Sequence, residues 1–434
     1  MSSAEREFDR EFDREFDREF DREFDIVVYG ATGYSGRLVA EYLARAAGHA
    51  RVALAGRSRE RLLAVRESLG AGAGQWPLIV ADTAQPAAVQ AMAARTRVVL
   101  TTVGPYTTHG LPVVAACAKA GTDYADLTGE VMFVRTAIDR YHKQAADTGA
   151  RIVVSCGFAS LPSDLNVYQL YRRAVDDVTG ELCDTTLVFR SFFQGGGSGG
   201  TVASEFEAMR TASRDPAARR LMADPYTLTP DHGAEPDLGR QPDFRWRQGS
   251  RIAPELAGFW VGGLVWAPHN TRVVRRSNAL QDWAYGRRFR YSETMSLGRS
   301  FAAPAAAAAV TGTLAGVFSL GTRHFHRLPR RWLQRLTKPG TGPGEALRQR
   351  GHYTAQTYTT TTSGVRYLAT VGQQLDAYSG TGVLLAECGL ALAFDRDRLA
   401  AVRGVLTPAA AMGEALLTRL PAAGVAMNTV RLNP

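Results

Sequence analysis

Three glycines at GxxGxxG spacing, in Gly30-Ala31-Thr32-Gly33-Tyr34-Ser35-Gly36, follow directly on the apolar run Phe24 to Tyr29. Behind them Leu38, Val39, Tyr42, Leu43 and Ala46 fall on one face of a helix. At a strand-to-helix turn, small residues let the backbone approach a pyrophosphate, and the free N–H groups at the helix start stabilise its charge. Gly30, Thr32, Gly33 and Gly36 are therefore expected to hold a dinucleotide. The next apolar run ends in Gly56-Arg57-Ser58-Arg59, where an NAD site would place an acid for the ribose 2′-hydroxyl. No acid stands there. Arg57 and Arg59, aided by the Ser58 hydroxyl, match a 2′-phosphate, which points to NADP(H). Solvated arginines opening a helix are the plainer alternative. Asp82, after a third strand, either reaches an adenine or caps the next helix. Further on, Thr101-Thr102-Val103-Gly104-Pro105-Tyr106 makes a tight turn after a fourth strand. Val103, Gly104 and Tyr106 then stand where a nicotinamide would lie, and that place makes Tyr106 and His109 catalytic candidates.

These motifs need a sheet to hold them. Strand patterns at 24–29, 51–55, 77–80, 97–102 and 151–155 alternate with helical patterns at 59–69 and 87–94. That rhythm belongs to a doubly wound parallel sheet. The expected class is α/β, with an N-terminal Rossmann-like domain at 23–155, a second α+β substrate domain at 156–400 and a C-terminal helical segment at 401–434. Within the second domain, Thr357 to Thr362 and Val365 to Val371 look like antiparallel strands, and Val383 to Leu392 like a buried helix. Gly195 to Thr201 is a glycine loop ahead of a helix over 202–212, either an anion-binding turn using Ser198 or Thr201 or a plain connection.

The chain has 434 residues, 45% hydrophobic and 21% charged, enough for two or three domains and incompatible with full-length disorder or a small disulfide scaffold. Cys117, Cys156, Cys183 and Cys388 form no CxxC pair and no cluster with the histidines, so structural zinc is not expected and a reducing, cytoplasmic setting is. The charged N-terminus lacks the order of a secretory signal. The net charge of +9 is uneven: residues 5–25 carry −6, leaving +15 on the remainder. With no nucleic-acid module in the pattern, that excess suits other anionic partners. The acidic segment is EFDR, repeated four times from Glu7 to Arg22 and followed by a fifth EFD. Its i+4 neighbours are alike and repel, so 1–22 is expected to be a disordered tail or frayed helix. Residues 301–320 have no charge, while 321–338 hold six Arg or Lys and no acid. Half of the apolar stretch is Ala or Gly, so packing inside the protein is the leading expectation. The alternatives are peripheral contact with an anionic membrane, docking of an acidic acyl carrier protein, and a true span.

EFDIVVYGATGYSGRLVAEYL, TTVGPY, the Thr122 to Glu130 segment TDYADLTGE, the Gly157 to Asp164 segment GFASLPSD and the Gly404 to Glu414 stretch occur in that order. Together they resemble the saccharopine dehydrogenase-like oxidoreductase family, and within it the trans-acting enoyl reductase branch. The resemblance implies an NADP(H)-dependent reductase working in trans with polyketide synthases, on an acyl chain held by the synthase or an acyl carrier protein, in phthiocerol and phenolphthiocerol dimycocerosate biosynthesis. A saccharopine-like amino-acid dehydrogenase and a non-catalytic, membrane-associated NADP-binding scaffold are the alternatives. Reduction of an enoyl thioester needs a hydrogen-bond donor for the enolate and a proton for the α-carbon. Tyr106 and Tyr124 are the candidates, with buried structural roles as the competing reading. One position departs from the family: GFxSxPSD carries Asp third, and Ala159 stands here, so no role of that Asp transfers.

Overall fold

The computed structural model describes residues 22–193, 199–327, 344–348 and 350–433. Six strands come first: β1 (Phe24–Tyr29), β2 (Val52–Gly56), β3 (Leu78–Val80), β4 (Thr96–Thr101), β5 (Asp123–Asp126) and β6 (Arg151–Val153). All are parallel, in the order β6-β5-β4-β1-β2-β3. The order reverses between β1 and β4, and at such a switch point the carboxyl ends of the strands open a crevice for ligand. β1 is apolar on both faces because both are covered, as a parallel sheet requires. Ile26 and Val28 cluster with Val39 and Leu43 of the helix Tyr34–Ala46, while Val27 and Tyr29 cluster with Val89, Val113 and Phe133 from three helices on the other side.

The second sheet contains β7 (Leu182–Phe193), β8 (Arg247–Gln248), β9 (Trp260–Gly263), β10 (Arg290–Ser296), β11 (His352–Thr361) and β12 (Arg366–Gln373). β7 and β10 run parallel; β11 and β12 pair antiparallel, as their alternating pattern suggests. The helix Leu161–Asp176 packs on this sheet, and Leu165, Leu187, Tyr353 and Tyr367 share one core with Ile26 of the first sheet.

The segment 401–434 is not simply helical. β13 (Gly404–Leu406) adds a seventh, parallel strand to the first sheet, pairing Val405 with Ile152, and β14 (Ala426–Arg431) adds a seventh strand to the second, pairing Val430 with Leu368. The helix Pro408–Ala422 joins them. A three-residue strand is too short to show a period. The boundaries at 155 and 400 likewise do not follow the sheets, because the helix Ala377–Phe394 packs back on Tyr34–Ala46, with the Tyr42 hydroxyl donating to Glu387 at 2.6 Å.

The charge-free stretch also differs from its leading expectation. It forms the helix Ala303–His324, in which only Ala303, Ala307 and Thr311 are buried. Alanine is small enough to sit on a surface at little cost, so composition alone did not decide where the helix lies. Residues 1–21 of the repeat tail, most of the glycine loop at 195–201 and most of the basic stretch beyond Arg327 lie outside the described residues.

Candidate active site

β1 hands over to the helix Tyr34–Ala46 through a turn that excludes side chains. Gly30 has φ +90°, a conformation open to glycine. A Cβ on Gly30 would stand 2.7 Å from Val103 Cγ2, and one on Gly36 only 2.2 Å from the Gly30 carbonyl oxygen. On Gly33 it would stand 3.2 Å from that same oxygen, a milder approach. Gly33 is also the N-cap and offers no side-chain acceptor, and no acid occupies the first turn. The start of the helix therefore receives no side-chain cap from Gly33, an arrangement suited to an anion. These residues fit the pyrophosphate of a dinucleotide.

Beyond β2, Arg57 and Arg59 are exposed and available to a phosphate. Ser58 has the more ordinary task of N-capping the helix Arg59–Ser68, accepting from the Arg61 N–H at 3.3 Å. Asp82 accepts from the Ala84 N–H at 2.9 Å and so shapes the turn ahead of the helix Pro86–Ala94, whose N-cap is Gln85. His109 Nδ1 lies 3.4 Å from Thr83 Oγ1, and burial, with the nearby Arg57 charge, holds the ring below its ordinary pKa. His109 thus sits in the first turn of the helix after the Val103–Gly104 turn, its N–H donating to the Pro105 carbonyl at 2.9 Å, and feels the charges of Arg57, Asp82 and Glu130.

Two acids organise this helix start and the end of β5. Glu130, buried, accepts from the Tyr106 N–H at 2.7 Å, the Thr107 N–H at 2.8 Å and the Thr107 hydroxyl at 2.5 Å, which fills the N-terminus of the helix Tyr106–Ala120. Asp126, at the end of β5, accepts from the N–H groups of Thr128 at 3.0 Å and Ser155 at 2.8 Å and from the Tyr124 hydroxyl at 2.8 Å. Burial pushes its carboxyl up to about 7. The two candidate tyrosines are tied into this framework. Tyr106 donates to the Thr101 carbonyl at 3.1 Å and accepts from the Leu127 N–H at 3.2 Å, while Tyr124, fully buried, is committed to Asp126. Burial drives both phenols well above their usual range. Neither hydroxyl is left over for a substrate, so direct proton donation by Tyr106 or Tyr124 gains no support from their geometry.

Between the two sheets lies a buried polar network that sequence reasoning missed. Ser155, a non-glycine residue with φ 67°, meets His269 Nε2 at 2.8 Å. His269 is 6% exposed, its Nδ1 has no hydrogen-bond partner among the described residues, and burial pushes its pKa down to about 3. The ring is therefore neutral. Asn270 accepts from Ser160 at 2.8 Å and donates to Glu293 at 2.9 Å and to the Ala159 carbonyl at 2.6 Å. Ala159, at the position where the GFxSxPSD resemblance implied Asp, thus contributes its backbone carbonyl. TDYADLTGE and GFASLPSD signalled Asp126, Glu130 and Ser160 as part of something, but His269, Asn270 and Glu293 come from over a hundred residues further on with no local motif. The helix Gly199–Arg214 roofs the cofactor turn: a Cβ on Gly104 would lie 3.3 Å from Ser204 Oγ. A cleft of about 710 Å³ lined by Tyr168, Gln281, Arg398 and Glu414 shares no residue with this crevice.

The comparisons with known proteins agree with this geometry. Residues 26–153 match the saccharopine dehydrogenase NADP binding domain. The saccharopine dehydrogenase (L-Glu forming) of Saccharomyces cerevisiae shares the fold, with TM-score 0.52 at 12% identity over 94% of this chain and 100% of that one. Among curated proteins, the trans-acting enoyl reductase of Mycobacterium tuberculosis is 70% identical and that of Mycobacterium leprae 66%, each over 100% of both chains. The cofactor is NADP(H), and the chain is an NADP-dependent oxidoreductase. On that full-length likeness, the chain belongs to the trans-acting enoyl reductase family of saccharopine dehydrogenase-like oxidoreductases.

Proposed function

We propose that the protein is itself a trans-acting enoyl reductase, saturating the C=C bond of an α,β-unsaturated acyl thioester carried by a polyketide synthase or acyl carrier protein during phthiocerol-type lipid synthesis. The observation that carries this reading is the 70% identity over the whole length to a protein of that name. When bound, NADPH supplies the hydride equivalent. The chain's own residues do the rest. The uncapped helix after Gly33 and the glycines at 30 and 36 receive the pyrophosphate, and Arg57 and Arg59 receive the 2′-phosphate. The Val103–Gly104 turn, packed between Gly30 and Ser204, would hold the nicotinamide. Asp126, raised to about 7, exchanges a proton near neutral pH, with the Tyr124 hydroxyl as its partner. His269 brings a neutral ring whose unpaired Nδ1 is suited to hydrogen-bond a thioester oxygen.

The test follows NADPH absorbance with a carrier-bound enoyl thioester and, separately, NADP with saccharopine. Turnover of the enoyl substrate alone is expected, and Asp126→Asn should lower kcat while leaving NADPH affinity intact. Turnover of saccharopine instead, or of neither substrate despite tight NADPH binding, would overturn the proposal.

A further inference from the structure

Among the described residues two helices are long and apolar enough to cross a membrane, and the protein treats them oppositely: the apolar window of Ala377–Phe394 is 89% buried, whereas that of Ala303–Arg327 is 17% buried. The inner side of the exposed helix is well seated. Thr311 Oγ1 accepts from the Gly263 N–H at 2.8 Å, Phe318 packs on Phe244 with ring centres 5.2 Å apart, and Phe325 packs on Phe206 at 5.3 Å. The outer side is a stripe. Phe301, Ala305, Ala309, Thr313, Val317 and Leu320 are all exposed and recur every three or four residues, so they line one face. Phe301 is wholly exposed, Val317 48% and Leu320 61%. Trp246, 51% exposed, stacks on Trp260 of β9, the strand this helix covers.

Charge accompanies the stripe without interrupting it. Arg299 stands exposed before the helix, and Arg323, His324, His326 and Arg327 stand exposed at its end. No Asp or Glu occurs anywhere in residues 294–344. An apolar stripe with cations at its ends and no acid complements an interface that is apolar inside and anionic at its surface. A second copy of a +9 chain would set like charges together, and an acidic carrier protein would pair with the basic end while leaving the stripe, about 30 Å long for 20 residues, uncovered.

We propose that this face rests on an anionic lipid surface, with the helix lying in the plane of the interface. The same geometry ties that surface to the crevice. The helix Gly199–Arg214 meets the apolar helix through Met209 against Gly321 and Phe206 against Phe325, and meets the cofactor turn through Ser204 against Gly104. A lipid-embedded acyl chain would thus enter one helix away from the nicotinamide turn, a consequence that rests on the enoyl-thioester reading, whereas the surface itself does not.

The test sediments the full-length protein with vesicles of phosphatidylcholine alone and with about one-third phosphatidylglycerol. Partitioning should be roughly tenfold higher on the anionic vesicles and should fall as salt rises. Val317→Asp with Leu320→Asp, and Arg323→Glu with Arg327→Glu, should each cut partitioning about tenfold, with NADPH affinity unchanged to report that the fold survives. Equal binding to neutral vesicles, charge-reversed protein that binds like the parent, or competition of an acidic carrier protein for the same face would overturn the proposal. So would a drop from dimer to monomer mass on Val317→Asp with Leu320→Asp, which would assign the face to a second copy.

Discussion

The helices Tyr34–Ala46 and Tyr106–Ala120 both begin at the carboxyl edge of the first sheet, one after β1 and the other after β4, and their N-termini are handled in opposite ways. One is bare: Gly33 caps nothing, and glycines at 30 and 36 keep side chains out. The other is filled from within by the Glu130 carboxylate. A helix N-terminus carries roughly half a positive charge, so two bare ends side by side would invite two anions. Filling one denies that end to a second anion and binds the cofactor turn to the loop after β5. A strand-turn-helix unit becomes a binding site only where the protein withholds its own anion.

Forcing a side chain into the bare end should have the largest effect. Gly36→Val would set a carbon 2.2 Å from the Gly30 oxygen, and calorimetry should show NADPH affinity falling by more than about a hundredfold, roughly 2.7 kcal/mol. Gly33→Ala, with its gentler 3.2 Å approach, should retain most binding. If both variants bind equally well, the bare end is not the phosphate site. Next comes Arg57→Asp, which should weaken NADPH roughly ten- to a hundredfold and NADH little. Equal loss for both cofactors would detach Arg57 from the 2′-phosphate. Opening the filled end is a smaller matter of stability. Glu130→Gln should lower the unfolding free energy in urea by about 2 kcal/mol with NADPH affinity nearly constant, and unchanged stability would show that the carboxylate is not what caps the helix.

The smallest effect concerns pH. Burial raises Asp126, Asp164 and Glu293 to about 7, above the ordinary values of 3.8 and 4.5 that the unfolded chain would show. The folded protein therefore binds more protons over that window, so their contribution is fullest at low pH and is lost as pH rises through 7. His109, His142 and His269, held below the ordinary 6.5 chiefly by burial, pull the other way, because there the unfolded chain binds the extra protons. With three acids against the three histidines, a net fall in unfolding free energy is expected from pH 5.5 to 8. Glu130, whose charge adds to the rise of Asp126, ties this to the filled end: Glu130→Gln should shift the curve toward lower pH. A midpoint that climbs across the window would contradict the assignment.

The parallel strands and the Gly30–Gly36 turn were legible because each is written in consecutive residues with a period. β13 was not, since Gly404-Val405-Leu406 is too short to carry one. Glu130 stands in a motif the sequence had already singled out, yet its acceptor role depends on Tyr106 and Thr107, 24 and 23 residues away, which no spacing rule joins. The tyrosines looked catalytic because position at a strand end says nothing about which carbonyl or carboxylate a hydroxyl will meet. His269 and Glu293 were invisible for a similar reason: each acts only through partners on other elements. The apolar helix was misjudged for the opposite reason, because hydrophobicity reports affinity for an apolar surrounding and not whether the protein or something outside it supplies that surrounding.

β13 also bears on the order in which the protein can be made. Strands β1 to β6 leave the ribosome early, but the strand that closes their edge is residues 404–406, and the helices Ala377–Phe394 and Pro408–Ala422 arrive equally late. Until then β6 is an unpaired strand edge and much of one apolar face stands bare, the kind of surface that chaperones recognise and aggregation exploits. Contacts this distant in sequence also slow folding. A nascent or truncated chain ending before residue 404 therefore lacks a finished cofactor sheet.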